Sequence, residues 1–376
     1  MRADVAVIGA GVVGSATALA LARRGVAVAL LEAEPEPGLA ASGTNSGILH
    51  TGFDSTPGEL ETELILGAGA LRDPVLEAFG LPVIRCGATM RPLDDDQRGA
   101  VAAMAENAAR NDVEVRLRDD GALEVPGESV TDPVALTLAL AGAAGRHGAE
   151  LRTGFEAAAL ERVGEGLAVS ASGGERVSCR VAVNCAGLGA GEVARSAGDN
   201  SFDVYPRKGE FFVFDPPGGQ ALERILLPVP TKRTKGVLVF PTVDGKVVAG
   251  PTAHDQEDRG DWSVRPEARD EVLPKAVAML PALEGVEPIA AYAGLRPAGR
   301  GVNYVIDPST ACEGLVNVAA IRSTGLTASL AIAERVCELV ADLGISVGPE
   351  QPLEPGPAVR TYGPWWRRTA EYRRLT

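Results

Sequence analysis

The sequence lacks several features, and each absence excludes a class of protein. No uncharged apolar run reaches the roughly 18 residues that a membrane-spanning helix needs, so a transmembrane protein is not expected. Basic charge is not in excess either, because 36 Lys and Arg stand against 50 Asp and Glu, which gives a net charge of −14. Such a chain would be repelled by the phosphates of nucleic acid. A small anionic substrate stays compatible, since a local basic pocket dominates at short range.

The cysteines also lack the spacing that metal sites use. They are Cys86, Cys179, Cys185, Cys312 and Cys337, with no CxxC pair among them. Zinc and iron–sulfur sites are therefore not expected, and reduced, mostly buried thiols are. Arg2, followed directly by a predicted strand, does not resemble a signal peptide. These features together favour a cytoplasmic globular protein without a metal.

At 376 residues the chain is too long for one ordinary core, and we expect two lobes that need not be contiguous in sequence. The most informative stretch lies at its beginning. Val5 to Ile8 is a predicted strand, Gly9 to Gly14 reads Gly-Ala-Gly-Val-Val-Gly, and a helical pattern leads to a second strand at Val26 to Leu31. This order is the βαβ fingerprint of a dinucleotide site, with Glu32 at the expected distance.

The glycines and the acidic residue of that fingerprint each have a physical role. Gly9 permits the tight turn, Gly11 lets a pyrophosphate approach the backbone, and Gly14 lets the helix pack on the sheet. The helix N-terminus, at Val12 and Val13, offers amides to the anion. Glu32 would accept hydrogen bonds from the ribose hydroxyls, which disfavours NADP; the fingerprint alone leaves NAD and FAD open.

The rest of the chain supplies further elements. Residues 42–53 form a loop of small polar residues that suits a close approach to a flat ligand. Residues 59–80 are predicted as a helix pair, 83–93 as a strand, 113–128 as a solvent-facing hairpin, and 133–147 as a helix. Strands dominate residues 202–306, with one helix at about 266–279. Near the end, a strand at 315–319, a turn and a helix repeat the arrangement of a ligand-facing helix N-terminus.

Taken together, these motifs resemble the D-amino-acid-oxidase (DAO) superfamily of FAD-dependent enzymes. Within it the similarity is to FAD-linked glycerol-3-phosphate dehydrogenases and L-2-hydroxyglutarate oxidases. The matching segments are the fingerprint with Glu32, SGTNSGILHTGF at 42–53, NCAG at 184–187, YPRKGEFF at 205–212, PTKRTKGVLVFPTVDGKVVAGPTA at 230–253, GLRP at 294–297 and IRSTGLTAS at 321–329. Glycine is common in relatives where Ala320 stands, and proline where Leu330 stands.

The resemblance implies an α/β fold: a Rossmann-like FAD-binding domain of glutathione-reductase type, with an inserted antiparallel sheet as an α+β second lobe. The FAD-binding domain would comprise 1–82, 129–200 and 307–348, and the substrate (cap) domain 83–128 and 201–306. A Pro-rich, then basic and aromatic, tail would comprise 349–376. The residues that the resemblance assigns to FAD are Gly9, Gly11, Val12, Val13, Gly14, Glu32, Ser42, Thr44, Asn45, Ser46, Gly47, Ala157, Ala186, Gly187, Ser323, Thr324, Gly325, Leu326 and Thr327.

The resemblance also implies the chemistry. FAD takes a hydride at N5 from a carbon that bears a hydroxyl or an amine, so the protein must anchor the substrate and receive a proton. Arg296 stands at the family's substrate-carboxylate position, with Lys208, beside Arg207, as a further anchor. The alternative role of Arg296 is a structural salt bridge. The alternative for Arg207 and Lys208 is that they lie on a solvated strand edge.

The proton acceptor is sought among the three histidines. His50 follows the flavin loop and is the first candidate, against a purely structural hydrogen bond. His254, Asp54 and Tyr292 are alternatives, while His147 is expected to cap a helix.

The predicted activity is hydride transfer from a small anionic secondary alcohol, glycerol 3-phosphate or an L-2-hydroxyacid such as 2-hydroxyglutarate, to FAD. Amino-acid or amine oxidation and flavin binding without turnover are the alternatives. The electron acceptor (oxygen, a quinone or a protein) is left open, and a homo-oligomer is compatible with the sequence. The tail, with Arg360, Trp365, Trp366 and several arginines, is expected to dock on its own or a neighbouring subunit. The alternative is peripheral contact with the inner face of the membrane.

Overall fold

The structure is a computed structural model that describes residues 3–230, 236–354, 356–357, 359 and 363–375. Residues 231–235 of the 230–253 motif, Arg2, and Arg360 of the tail lie outside the described residues. The described part forms eight α-helices. They are α1 (Val12–Ala22), α2 (Leu60–Ala78), α3 (Asp95–Arg110), α4 (Pro133–Arg146), α5 (Ala190–Ser196), α6 (Ala268–Met279), α7 (Gly325–Asp342) and α8 (Trp365–Leu375).

A six-stranded sheet forms the first lobe. Its strands, in spatial order, are Val305–Pro308, Leu315–Ala319, Val181–Asn184, Val5–Ile8, Val28–Leu31 and Glu150–Arg152. All neighbouring pairs are parallel except the first, which is antiparallel. The strand predicted within residues 303–306 therefore belongs to this sheet, whereas the sequence pattern had placed it among the strands of the second lobe.

The first strand shows how the sequence divides the two faces of the sheet. Val5 and Val7 pack with helices α1, α4 and α7, while Ala6 and Ile8 pack on the opposite face. A three-stranded antiparallel sheet covers that opposite face, with strands Ala157–Val163, Gly166–Ala171 and Arg176–Cys179. Both faces are buried, as expected for parallel strands that read as continuous apolar runs.

A nine-stranded sheet forms the second lobe, which we call the cap. In order its strands are His254–Asp255, Val204–Phe214, Val247–Gly250, Leu238–Pro241, Ile225–Leu227, Ala88–Met90, Leu123–Val125 and Arg116–Leu117, and Ala290–Gly299 also pairs with Val204–Phe214. The pairs are antiparallel apart from Ile225–Leu227 with Ala88–Met90. Helix α6 covers one face, as predicted, through Ala268, Val272 and Ala276.

Two local predictions need correction. Residues 59–80 form one long helix, α2, which continues through Pro74. Residues 83–93 form two short strands: Val83–Ile84 joins Ser129–Thr131 and Ile48–Leu49 in a small sheet, and Ala88–Met90 joins the cap. The 113–128 hairpin is present: its second strand buries Leu123 and Val125 in the cap core, while Arg116 and Leu117 of its first strand are exposed. No helix within the described ranges has the length and apolarity needed to cross a membrane.

Residues 363–375 of the tail pack against their own chain, which is one of the alternatives predicted from the sequence. Trp365 and Trp366 are 1% and 2% exposed in the core of the cap. Arg368 forms an ion pair with Glu36, and Arg373 with Glu34, both in the first lobe. Because both tryptophans are buried in this arrangement, they are not available to a membrane surface.

Candidate active site

A cleft of about 1050 Å³ lies between the first lobe and the cap. The first strand and helix of the chain, the 40–50 loop, several cap strands and helices α7 and α8 all contribute to its wall. Of the predicted cofactor residues, those that line it are Gly9, Gly11, Val12, Val13, Gly14, Glu32, Ser42, Thr44, Asn45, Ser46, Ala157, Ala186, Gly187, Ser323, Thr324, Gly325 and Leu326.

The glycine turn is packed so closely that side chains could not replace its hydrogens. A Cβ at Gly14 would overlap the carbonyl oxygen of Gly9, and Gly9 itself has a φ of +101°, which favours glycine. A Cβ at Gly11 would lie 3.1 Å from Ser42 Oγ, which accepts a hydrogen bond of 2.9 Å from the Val12 amide. The turn thus presents bare backbone to the cleft, as a pyrophosphate requires.

Glu32 lies at the end of the second strand of the fingerprint and is 9% exposed. Its Oε2 accepts a 2.7 Å hydrogen bond from the Ala10 amide, and its Oε1 accepts one of 3.0 Å from the Glu34 amide. Burial raises the pKa of this carboxyl, although both hydrogen bonds oppose the rise. The side chain is therefore fixed beside the glycine turn, where the ribose of a dinucleotide would lie.

Gly47 and Thr327 do not line the cleft but hold the elements that do. The Gly47 amide donates to Asn45 Oδ1 at 2.9 Å. Thr327 Oγ1 accepts a 3.0 Å hydrogen bond from the amide of His50. Thr327 thus joins helix α7, whose N-terminus faces the cleft, to the 40–50 loop.

Arg296 lies on the cap strand Ala290–Gly299 and lines the cleft. Its Nε donates to the carbonyl of Arg207 at 3.1 Å, and its Nη2 donates to the carbonyls of Lys208 at 3.1 Å and Thr252 at 2.8 Å. A guanidinium has five N–H groups, so the two on Nη1 are left over. Burial, and then the charges of Arg207 and Arg322, lower the pKa of Arg296 to about 10, which leaves it charged at neutral pH.

Lys208 does not reach the cleft, in contrast to its predicted anchoring role. Successive strand residues point to opposite faces, so Arg207 and Gly209 face the cleft while Lys208 faces the other side. There the fully buried Lys208 ammonium contacts Asp261 Oδ2 at 2.6 Å, which lowers the pKa of Asp261 to about 2. Gly209 makes room for Arg296, because a Cβ there would lie 3.1 Å from Nη2.

His50 lines the cleft at the end of the 40–50 loop. Its Nδ1 lies 3.1 Å from Oε2 of Glu128, whose side chain is fully buried. The second oxygen of Glu128, Oε1, accepts from the amide of Thr51 at 2.7 Å and from its hydroxyl at 2.9 Å. A carboxylate beside Nδ1 favours the tautomer with the proton on Nδ1, so Nε2 carries the lone pair. Nε2 is thus the ring nitrogen at which a proton could be accepted.

The other candidates for proton transfer are less well placed. Asp54 lines the cleft, but His254 is exposed on the cap edge strand and Tyr292 is buried in the cap core. His147 is the C-cap residue of helix α4, and its Nε2 accepts a hydrogen bond of 3.1 Å from the Glu354 amide, so its side chain holds the tail segment rather than the carbonyls at the helix end.

Sequence reasoning missed several residues that line the cleft or support a residue that does. Glu128 carries no motif, and only its contact with His50 identifies it. Glu61 lines the cleft and accepts a 2.6 Å hydrogen bond from Thr324 Oγ1, although it lies far from Thr324 in sequence. Trp262 and Arg373 also line the cleft, and nothing in their local patterns links them to a cofactor.

The strand order, the bare glycine turn and the cap opposite it define a dinucleotide-dependent oxidoreductase with the substrate held between two lobes. The family described as FAD dependent oxidoreductase (DAO) matches residues 4–339, and the chain belongs to this family. Its cofactor is FAD, and the glycine turn, Glu32 and the α7 N-terminus fit that group.

Individual relatives extend the comparison. A glycerol 3-phosphate dehydrogenase of Caloramator mitchellensis is 27% identical over 94% of this chain and 76% of its own. An L-2-hydroxyglutarate dehydrogenase of Escherichia coli is 26% identical over 66% of this chain and 64% of its own. Among solved structures, FAD-bound L-α-glycerophosphate oxidase of Mycoplasma pneumoniae superposes with a TM-score of 0.88 at 23% identity, covering 96% of this chain and all of that one. This superposition establishes the fold.

Proposed function

We propose that the protein oxidises a small secondary alcohol that carries an anionic group, with glycerol 3-phosphate favoured over L-2-hydroxyacids such as 2-hydroxyglutarate. The FAD cofactor, when bound, supplies a hydride acceptor at N5 of its flavin ring. The chain's own residues must then anchor the anion, orient the carbinol and take its proton.

The observation that carries the proposal is the charge of Arg296 together with the contacts that its guanidinium makes. Its guanidinium is charged and largely surrounded by protein, yet it forms no ion pair with a carboxylate among the residues that the structure describes. A buried cation without a partner is costly, and an anionic ligand would compensate it. Three of its N–H groups are fixed on backbone carbonyls, so Nη1 is held ready for that ligand. Arg207, which pairs with the half-exposed Asp255 at 3.2 Å, lies in the same wall.

His50 is proposed as the group that takes the hydroxyl proton. Glu128 fixes the ring through Nδ1, and Thr51 donates to the other oxygen of that carboxylate. Glu128 would also stabilise the imidazolium that proton transfer would produce. Lys208 has no part in this scheme, because Asp261 holds it on the opposite face of the strand.

Glycerol 3-phosphate is favoured by the extent of the similarities. The Caloramator relative and a glycerol 3-phosphate oxidase of Mycoplasma pneumoniae match 94% and 90% of this chain, whereas the Escherichia coli L-2-hydroxyglutarate dehydrogenase matches 66%. A phosphate dianion also suits a wall with more than one arginine.

The test is an anaerobic absorbance titration of the purified FAD-bound protein. Glycerol 3-phosphate, L-2-hydroxyglutarate, lactate and amino acids are added in turn, and bleaching of the flavin band is recorded. Bleaching by glycerol 3-phosphate but not by glycerol would support the proposal. Bleaching by an amino acid, with release of ammonia, would replace it by amine oxidation. A flavin that no compound bleaches would leave a protein that binds FAD without turnover. Admitting oxygen or a quinone to the reduced sample then identifies the electron acceptor.

A further inference from the structure

Helix α8 lies beyond residues 4–339, which the family model matches, yet it forms part of the cleft wall through Arg373. We propose that α8 is a component of the cofactor site. Arg373, together with Trp262 and Glu34, closes the cleft over the adenosine half of FAD, and Thr369 fixes the 41–44 loop from behind.

Arg373 lies at the end of the cleft marked by Glu32. Its Nη2 donates to Glu34 Oε1 at 2.5 Å, and its Nε donates to the carbonyl of Leu39 at 3.1 Å. Glu34 is two residues beyond Glu32 and lines the same cleft. A ribose bound by Glu32 would therefore lie beside the Arg373 guanidinium, where a cation favours the adjacent diphosphate of FAD.

Trp262 reaches the same place from the cap. The Arg373 guanidinium lies 4.9 Å from the centroid of the Trp262 ring, within the range of a cation–π contact. Both side chains line the cleft. The first lobe, the cap and the C-terminal helix thus meet around one guanidinium.

Thr369 makes a second, independent contact with the cofactor site. It is fully buried, and a Cβ at Gly43 would overlap its hydroxyl oxygen and the carbonyl of Gly38. Gly43 belongs to the short 3-10 helix Ala41–Thr44, which carries Ser42 and Thr44 into the cleft. On the cap side, a Cβ at Gly294 would lie only 2.6 Å from Thr44 Oγ1. The loop is therefore held between α8 and the cap strand that bears Arg296.

The start of α8 anchors it in the cap. Trp365 packs edge-on to Tyr292, with ring centroids 5.9 Å apart, and Trp366 Nε1 donates to Asp244 Oδ2 at 3.1 Å. The helix therefore connects the cap to residues 34–39 of the first lobe. Release of FAD from this end is expected to require that the contacts of Arg373 or Trp262 break.

The test compares two neighbouring arginines in the FAD-bound protein. Arg373→Gln removes the guanidinium from the cleft. Arg374→Gln changes an exposed residue that donates to the carbonyl of Ala291 at 3.3 Å and does not line the cleft. The dissociation rate of FAD is measured from the increase of flavin fluorescence after dilution. Arg373→Gln is expected to release FAD about tenfold faster, which corresponds to one lost charged hydrogen bond. Arg374→Gln is expected to match the wild type.

A second variant keeps the test decisive if Arg373→Gln does not fold. Trp262→Leu retains an apolar side chain but removes the ring that the guanidinium contacts, and it too should speed FAD release. Wild-type release rates in the folded variants would overturn the proposal. Equal acceleration by Arg373→Gln and Arg374→Gln would overturn it as well, because the effect would then be undocking of the helix rather than loss of a cofactor contact.

Discussion

Glu128 is a single buried carboxylate on which the orientation of His50 depends. Glu128→Gln keeps the shape but places an amide opposite Nδ1, so that the ring takes the other tautomer and Nε2 loses its lone pair. We expect kcat to fall by about a hundredfold or more, with little change in KM. Steady-state kinetics with the substrate found by the titration provides the measurement. Thr51→Val, which removes only one hydroxyl contact to Glu128, is the control, and an equal loss in it would contradict this role.

Arg296 is expected to govern substrate affinity. Arg296→Ala should raise KM by about a hundredfold, since charged hydrogen bonds contribute ~1.5–3 kcal/mol each. Because the pKa of Arg296 is lowered to about 10, its charge is complete below that pH and is lost as the pH rises through it. KM of the wild type should therefore rise above pH 10, and the variant should show no such rise. If Arg296→Ala left KM unchanged at neutral pH, Arg296 would not be the substrate anchor of the proposed function.

Ala320 has a backbone conformation that favours glycine. Its φ is +57°, a left-handed conformation that costs alanine ~1–2 kcal/mol. Glycine lacks this cost but loses roughly 0.5–1 kcal/mol through chain entropy. Ala320→Gly should therefore raise the free energy of unfolding by up to about 1 kcal/mol in a urea titration. Ala319→Gly, in the preceding strand, should lower it; a loss of stability in both variants would show that Ala320 is not strained.

At the scale of an element, two consecutive residues of the strand Val204–Phe214 have different roles. Arg207 is a proposed substrate anchor, and Lys208 is a structural cation. Arg207→Met should raise KM and leave the melting temperature nearly unchanged. Lys208→Met should lower the melting temperature, because Asp261 loses its partner, and leave KM nearly unchanged. Steady-state kinetics and thermal unfolding of the two variants test whether Arg207 and Lys208 lie on opposite faces of the strand. A raised KM in Lys208→Met alone would return that residue to the substrate site.

The same strand shows what the sequence alone can and cannot predict. The glycine turn, Glu32 and the strand–turn–helix at 315–342 were predictable because each function resides in a local pattern. The faces of Arg207 and Lys208 were not, since the register with Ala290–Gly299 decides which one meets Arg296. Trp262 and Arg373 are brought to the cleft, and Glu128 to His50 beside it, only by tertiary packing. Residues 59–80 were predicted as a helix pair, whereas the packed chain forms a single helix that continues through Pro74, a residue that would break an isolated helix.

At the scale of the whole molecule, FAD binds where both lobes and α8 meet, so its free energy of binding should stabilise them together. We expect one thermal transition whose midpoint rises with FAD concentration, with about 2.7 kcal/mol gained at a hundredfold excess over Kd. Scanning calorimetry of the protein with and without added FAD tests this. Two transitions, of which only one shifts with FAD, would show that the cap and α8 unfold independently of the cofactor site.

The placement of α8 has an optical consequence. The chain has three tryptophans, and all of them lie at this junction: Trp365 and Trp366 anchor the helix, and Trp262 contacts Arg373. Ultraviolet-excited emission of the native protein therefore originates almost wholly where the tail, the cap and the cofactor end of the cleft adjoin. Flavin absorbs in the region where indole emits, so bound FAD should quench this light, and its recovery reports cofactor loss without any attached label.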